Sequence, residues 1–252
     1  MSVDAAAYVG QWPFRPIEGT IADLTSTMRT NRVKQAIVSP LAGLFHADPG
    51  PANEQLLRRL AGSRRLWAAP VISLRMADWA DQMEALGGKR QVRAVRLAPS
   101  FHGYTVAEAG EAAELAGELG LAVVVQLRME DERHLPPFMT LPQVPLEDVV
   151  ALAAAAPRAR VVASAARLGE VVNDAEHIRQ LRNLWLDVSH FDGLECIRQA
   201  RDAVGARRLL FSSCWPFFYA RSAVMKVEEA EVAARDREAM MEGNARVAFG
   251  IG

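Results

Sequence analysis

The feature that most limits what this chain can fold into is its rhythm. Short apolar runs rich in β-branched residues alternate, from end to end, with longer amphipathic stretches rich in Ala, Leu and Glu. Eight runs read as strands: residues 3–9, 33–39, 66–73, 92–98, 121–127, 159–164, 184–189 and 208–213. The stretches at 21–30, 53–62, 77–86, 106–119, 146–155, 171–181, 194–204 and 224–241 read as helices. Strands joined through helices run parallel and are covered on both faces, which is why these runs are mostly apolar rather than strictly alternating. Asp23 and Asp48 suit helix starts, Gly87-Gly88 and Gly120 suit helix ends, and Pro157 stops the Ala-rich helix before the sixth strand. Eight such units in 252 residues predict a single α/β domain, a (β/α)8 TIM barrel spanning 1–252.

Composition narrows the function classes. A net charge of −1 gives no overall field to steer nucleic acid or anionic lipid, so neither partner is expected. No window approaches the roughly 18 consecutive apolar residues of a membrane span, and the start carries no basic segment followed by an apolar one. A cytoplasmic location is the resulting expectation. Cys196 and Cys214 form no CxxC pair, which argues against a thiolate zinc site or a disulfide framework. Neither a Gly-rich phosphate fingerprint nor a Gly-x-Ser-x-Gly elbow occurs. The least regular segment, 129–145, holds Pro136, Pro137, Pro142 and Pro145 and reads equally as an active-site lid or as a rigid surface connection.

The two ends of the chain are more specific. Val3-Asp4-Ala5-Ala6-Ala7-Tyr8-Val9-Gly10 with Trp12-Pro13-Phe14 resembles the first strand of the amidohydrolase-related family, which usually reads Asp-x-His-x-His there. Phe211-Ser212-Ser213-Cys214-Trp215-Pro216-Phe217 is similar to that family's last-strand Phe-Gly-Ser-Asp-Tyr-Pro-Phe, and Gly243-Asn244-Ala245-Arg246-Val247-Ala248-Phe249 to its closing helix. The resemblance implies a metal-bearing barrel that hydrolyses substrates with a metal-activated water. At every position where it implies a ligand, the residue differs: Ala6 and Tyr8 on the first strand, Gln126 on the fifth, a residue near Ala165 on the sixth, and Cys214 on the last. Such a set lacks the imidazole and carboxylate donors that a catalytic divalent ion needs. We therefore expect no metal and no other cofactor.

Side chains at strand ends and in the following loops of a barrel converge on one mouth. There this chain places Tyr8, Arg96, Tyr104, Gln126, Arg128 and Asp131 as substrate-binding candidates, and His102, His190 and Cys214 as proton carriers or nucleophile. Arginine keeps its charge when desolvated and grips oxyanions with two donors, so a small carboxylate is the expected ligand. Histidine exchanges protons near neutrality, and cysteine attacks as the thiolate. Tyr8, with the parity of Asp4 and Ala6, faces inward, where its hydroxyl meets either a substrate oxyanion or Gln126 or Asp4. A metal-independent hydrolase or C–C lyase acting on a small carboxylate follows, in a chain that forms homo-oligomers or remains alone. The alternative is a non-catalytic barrel that binds a ligand or a protein. Proximity of His102, His190 and Cys214 around one pocket favours the enzyme, and a mouth plugged by Tyr8 favours the binder.

Overall fold

A computed structural model describes residues 2–130, 136 and 141–251. Its strands are β1 (Val3–Trp12), β2 (Ile17–Gly19), β3 (Gln35–Pro40), β4 (Leu66–Ala68), β5 (Val71–Ile72), β6 (Ala94–Leu97), β7 (Ala122–Gln126), β8 (Arg160–Ser164), β9 (Leu184–Asp187) and β10 (Leu209–Leu210). The helices are α1 (Ile21–Thr30), α2 (Ala42–Phe45), α3 (Gly50–Leu60), α4 (Trp79–Gly87), α5 (Pro99–His102), α6 (Gly110–Glu118) and α7 (Leu146–Ala155), then α8 (Leu168–Asn173), α9 (Ala175–Gln180), α10 (Cys196–Val204), α11 (Ala220–Glu228), α12 (Ala234–Glu238) and α13 (Asn244–Phe249).

Apart from β2, which folds back antiparallel on β1, neighbouring strands run parallel in chain order. β4 and β5 are two halves of one strand interrupted at Ala69-Pro70, so eight staves surround the axis. Backbone hydrogen bonds close both seams between the paired groups. Ala5 N donates to Phe211 O (2.9 Å), Cys214 N to Ala6 O (3.0 Å) and Tyr8 N to Trp215 O (2.8 Å). Arg93 N donates to Ala68 O (3.1 Å) and Arg96 N to Pro70 O (2.7 Å).

Strand parity sorts the core into layers. On β7, Val123 and Val125 face the surrounding helices, whereas Ala122 and Val124 fill the barrel and Gln126 ends it. The lower barrel is apolar: Val3, Ala5, Ile37, Val162 and Leu210 pack against Ala245, Ala248 and Phe249 of α13, which closes the N-terminal end. β1 does not keep a single parity. A register shift between Asp4 and Ala7 lets Ala5 join this lower core while Ala6 and Tyr8 join the mouth.

Two expected helices are divided. The stretch 171–181 breaks at Asp174, whose carboxylate takes a hydrogen bond from His177 (Nδ1–Oδ1, 2.6 Å) and separates α8 from α9. The stretch 224–241 breaks after Glu228, where Ala230 and Val232 turn onto the core and Arg237 donates to both of their carbonyls. Burial of two apolar side chains there outweighs continuation of the helix.

Candidate functional site

The polar layer at the upper end of the barrel is assembled from the last inward position of each strand. Arg96 of β6 is fully buried. Its Nε donates to Ser39 Oγ of β3 (2.8 Å), and its Nη1 donates to Gln126 Oε1 and to Ser164 Oγ of β8 (3.3 Å). The guanidinium lies 4.8 Å from the ring centre of Tyr8, whose hydroxyl donates to the same Gln126 oxygen (2.7 Å). Ser164 Oγ in turn donates to Asp187 Oδ2 of β9 (2.6 Å). A permanent cation and a carboxylate are thus linked through one hydroxyl inside the barrel, which offsets part of the cost of burying both. On the opposite side, Asp4 accepts from Ser213 N (2.9 Å), Ser213 Oγ and Ala6 N (3.2 Å). Burial outweighs these bonds and lifts its pKa from 3.8 to about 6.

Directly above this layer the axis is closed by rings. Trp12 is buried and packs edge-on against Phe14, Phe45, Phe101 and Phe217, and Tyr8 does the same with Phe217. Cys214 sits within this cluster at 1% exposure, its Sγ 3.8 Å from Met129 O, and burial pushes its thiol well above the usual range. A neutral, enclosed thiol is packing rather than a nucleophile. Ala165 and Cys214, which end β8 and lead into the last turn, both adopt positive φ (68° and 50°), a conformation that costs residues with a Cβ.

An open cavity of about 910 Å3 lies off the axis, between the ends of β7 to β10 and helix α11. Arg128, Arg167, His190 and Lys226 line it with Ser189, Ser213 and the two acids Glu130 and Asp192, and Phe217, Phe218 and Tyr219 form an aromatic wall. Lys226 Nζ donates to Val188 O (3.1 Å) and Ser189 O (3.0 Å), which leaves one of its three N–H groups uncommitted. Burial lowers the Lys226 pKa, opposed by the nearby Cys196, Asp187 and Asp192.

His190 is the histidine that lines this cavity. Asp187 Oδ1 accepts from Ser189 N (3.0 Å) and Ser189 Oγ (2.5 Å), and the Ser189 hydroxyl lies 2.9 Å from His190 Nδ1. With its own proton given to the carboxylate, that hydroxyl accepts from Nδ1–H, which fixes the tautomer and leaves Nε2 as a lone-pair acceptor. Nε2 has no protein partner. Burial, reinforced by Arg128, Lys226 and Arg167 against the pull of Asp187, lowers the imidazole pKa to about 4, so it is neutral at pH 7.

The sequence-predicted residues therefore divide among several places. Tyr8, Arg96 and Gln126 meet, but in the closed layer beneath the rings. Arg128 reaches the cavity wall, yet its two terminal nitrogens grip Glu170 (2.9 and 2.6 Å) and Ala165 O (2.6 Å). That pairing spends the fork expected to hold a substrate. His102 follows β6 in α5 and contacts Gly43 O (3.1 Å), with Tyr104 buried beside it, and neither lines the cavity. Of the three expected catalytic residues, His190 lines this cavity, and His102 and Cys214 do not. Asp131 and most of the 129–145 lid segment lie outside the described residues. Sequence reasoning missed Lys226, because a lone lysine in a helix carries no local signal, and Asp187, which reads as an ordinary strand-end residue. It also missed Glu130, a buried carboxylate held by Trp12 Nε1 (2.7 Å) and Arg15.

Eight staves with a polar layer at their C-terminal ends define a barrel built as enzymes of this architecture are. The model of the amidohydrolase family matches residues 9–251, and the chain belongs to that family. The fold is shared with solved structures at low identity. A 5-carboxyvanillate decarboxylase from Sphingomonas paucimobilis matches with a TM-score of 0.75 at 14% identity over 100% of this chain and 99% of that one. A putative 2-pyrone-4,6-dicarboxylic acid hydrolase from Pseudomonas putida matches at 0.68 and 18%, over 99% and 97%. A dihydroxybenzoic acid decarboxylase from Polaromonas, solved with bound manganese and an inhibitor, matches at 0.73 and 15%, over 99% and 96%. A search of curated proteins returned no match.

The family resemblance implies a divalent metal, but the residues here do not fit one. The Arg96 guanidinium stands in the polar layer, and Tyr8 and Gln126, at two of the implied ligand positions, are bonded to one another. Among the described residues, no group of three or more His, Cys, Asp or Glu is arranged to hold a metal ion. No described helix is long and apolar enough to cross a membrane.

Proposed function

We propose that the chain is a metal-independent hydrolase of small carboxylate-bearing substrates, working in the off-axis cavity rather than on the barrel axis. The observation that carries this reading is the Asp187-Ser189-His190 chain, which leaves a buried, unpartnered imidazole nitrogen in the wall of the cavity that Lys226 and Arg167 also line. Lys226 and Arg167 hold the substrate carboxylate, and Phe217 and Phe218 pack against an apolar or aromatic body. His190 Nε2 accepts a proton from a water that attacks the carbonyl of a substrate ester or lactone and returns it to the alkoxide oxygen as the acyl C–O bond breaks, while Asp187 stabilises the intervening imidazolium through Ser189. Hydrolysis is favoured over C–C cleavage because the free nitrogen is a proton acceptor in its resting state. Two of the solved relatives are named for carboxylated aromatic and pyrone compounds, in agreement with this substrate class. The metal-free part of the reading rests on Arg96, whose charge opposes a divalent cation at the polar layer.

Benzoate and isophthalate, titrated by calorimetry, probe the cavity. Lys226→Met and Arg167→Met are each expected to weaken binding about tenfold or more, the worth of one charge-assisted hydrogen bond. His190→Gln is expected to retain binding and to lower turnover of carboxylated esters or lactones about 100-fold or more. Turnover requires neutral His190, whose pKa is lowered, so the rate is level through neutrality and falls only as pH drops through about 4. Absence of carboxylate binding, or binding indifferent to both cation variants, contradicts the assignment. The ring cluster that closes the axis favours a second reading, a barrel that binds carboxylates without turning them over; normal binding with no turnover of any such ester or lactone selects it.

A further inference from the structure

The opposite end of the barrel carries a charge pattern that the proposed reaction does not use. The segments 31–35, 61–65, 88–93, 156–160, 181–183 and 205–208, which lead into six of the strands, hold twelve Lys and Arg and no Asp or Glu. The chain as a whole has 29 basic and 30 acidic residues, so this face is basic at the expense of the others. Barrel helices end here, and a cation beside each helix C-terminus complements its dipole. That accounts for isolated residues but not for what happens beneath β9 and β10. There a groove of about 1230 Å3 gathers Arg182, Arg207, Arg208 and Arg235, with Asp236 as the acid in its lining.

Arg235 comes from a different part of the chain. It sits in the opening turn of α12, at the end of a helical run where the dipole favours acids rather than cations. Its Nε lies 3.7 Å from Asp236, a loose contact, and its side chain is 89% exposed. Arg208 Nη2 donates to Arg179 O (2.7 Å). Trp185 lies in the groove wall. Four guanidinium groups contributed by three segments make a site whose charge and fork geometry match several oxyanions at once.

We propose that this groove binds a soluble ligand carrying two or more phosphate groups. Each phosphate takes bidentate donors from one or two arginines, and a single carboxylate leaves most of them unused. The site is separate from the cavity under α11, at the other end of the strands.

Inorganic triphosphate, titrated by calorimetry into the full chain, is the test. Wild type is expected to bind it one to one. An Arg207→Ala/Arg235→Ala variant is expected to lose about tenfold or more in affinity, and Arg64→Ala/Arg65→Ala, on the same face but outside the groove, to lose less than about twofold. Unfolding curves that match wild type establish that each variant is folded, and Arg207→Lys/Arg235→Lys, which keeps charge without the fork, is expected to fall between. Equal losses in the two alanine variants overturn the groove in favour of diffuse attraction. Absence of triphosphate binding overturns the proposal outright, as does tighter binding of a single-stranded oligonucleotide that depends on Arg64 and Arg65, which makes the face a nucleic-acid surface.

Discussion

Replacing Arg96 with alanine is expected to lower the unfolding free energy by about 3–5 kcal/mol, a large share of the stability of a domain this size. The side chain is fully buried, donates to Ser39, Gln126 and Ser164, and stacks on Tyr8. Its loss opens a void among buried neighbours, and it leaves Asp187 without the cation linked to it through Ser164. Arg96→Lys keeps the charge but cannot reach Ser39 and Gln126 together, so it is expected to recover only part of the loss. Urea unfolding of the three proteins measures this. A loss below about 1 kcal/mol for the alanine variant would mean that the polar layer is solvated rather than locked.

The second large effect is a pH dependence with its sign set by Asp4. Burial raises the folded-state pKa of this carboxyl from 3.8 to about 6, so the folded protein holds the proton more tightly than the unfolded chain does. The stabilisation is therefore full below the unfolded value and is lost as pH rises through about 6, a change of about 3 kcal/mol. Asp4→Asn does not titrate. The stability of wild type relative to that variant is expected to fall by about 3 kcal/mol between about pH 3 and pH 7, read from urea midpoints. A difference that stays level across that window, or one that rises, contradicts the assignment of a strained buried carboxylate.

The staves and most helices were legible because burial on both faces writes a continuous apolar run for each parallel strand. Val123-Val124-Val125 needs no tertiary information to be placed. What could not be read was which strand ends remain open. Tyr8, Gln126 and Cys214 occupy inward or mouth positions, but their accessibility depends on five rings, one from β1 and four from the connections that follow β1, β3, β6 and β10. No local pattern reports that Trp12, Phe14, Phe45, Phe101 and Phe217 meet. The same holds for Arg128. Its position at the end of β7 gave it the reach of a substrate clamp, and only the fold reveals that Glu170 of α8 takes both of its terminal nitrogens. Lys226 was invisible for the reverse reason, since the end of β9 brings two carbonyls to a helix more than thirty residues later.

These displacements change where the chemistry is sought without changing the class of ligand. Lys226, Arg167 and Arg128 line the off-axis cavity while Arg96 lies in the closed polar layer, and in the proposed reading Lys226 and Arg167 hold the carboxylate. His190 is the member of the expected catalytic set that lines the cavity, and its partners Ser189 and Asp187 give its nitrogens distinct roles.

The central claim, a carboxylate site that works without a divalent metal, is tested most directly by elemental analysis of protein purified without chelator, repeated after incubation with zinc or manganese and gel filtration. Far less than one metal ion per chain is expected in both samples, with benzoate affinity unchanged between them. One equivalent of retained zinc or manganese, lost on Asp187→Asn or Cys214→Ala substitution, would contradict it.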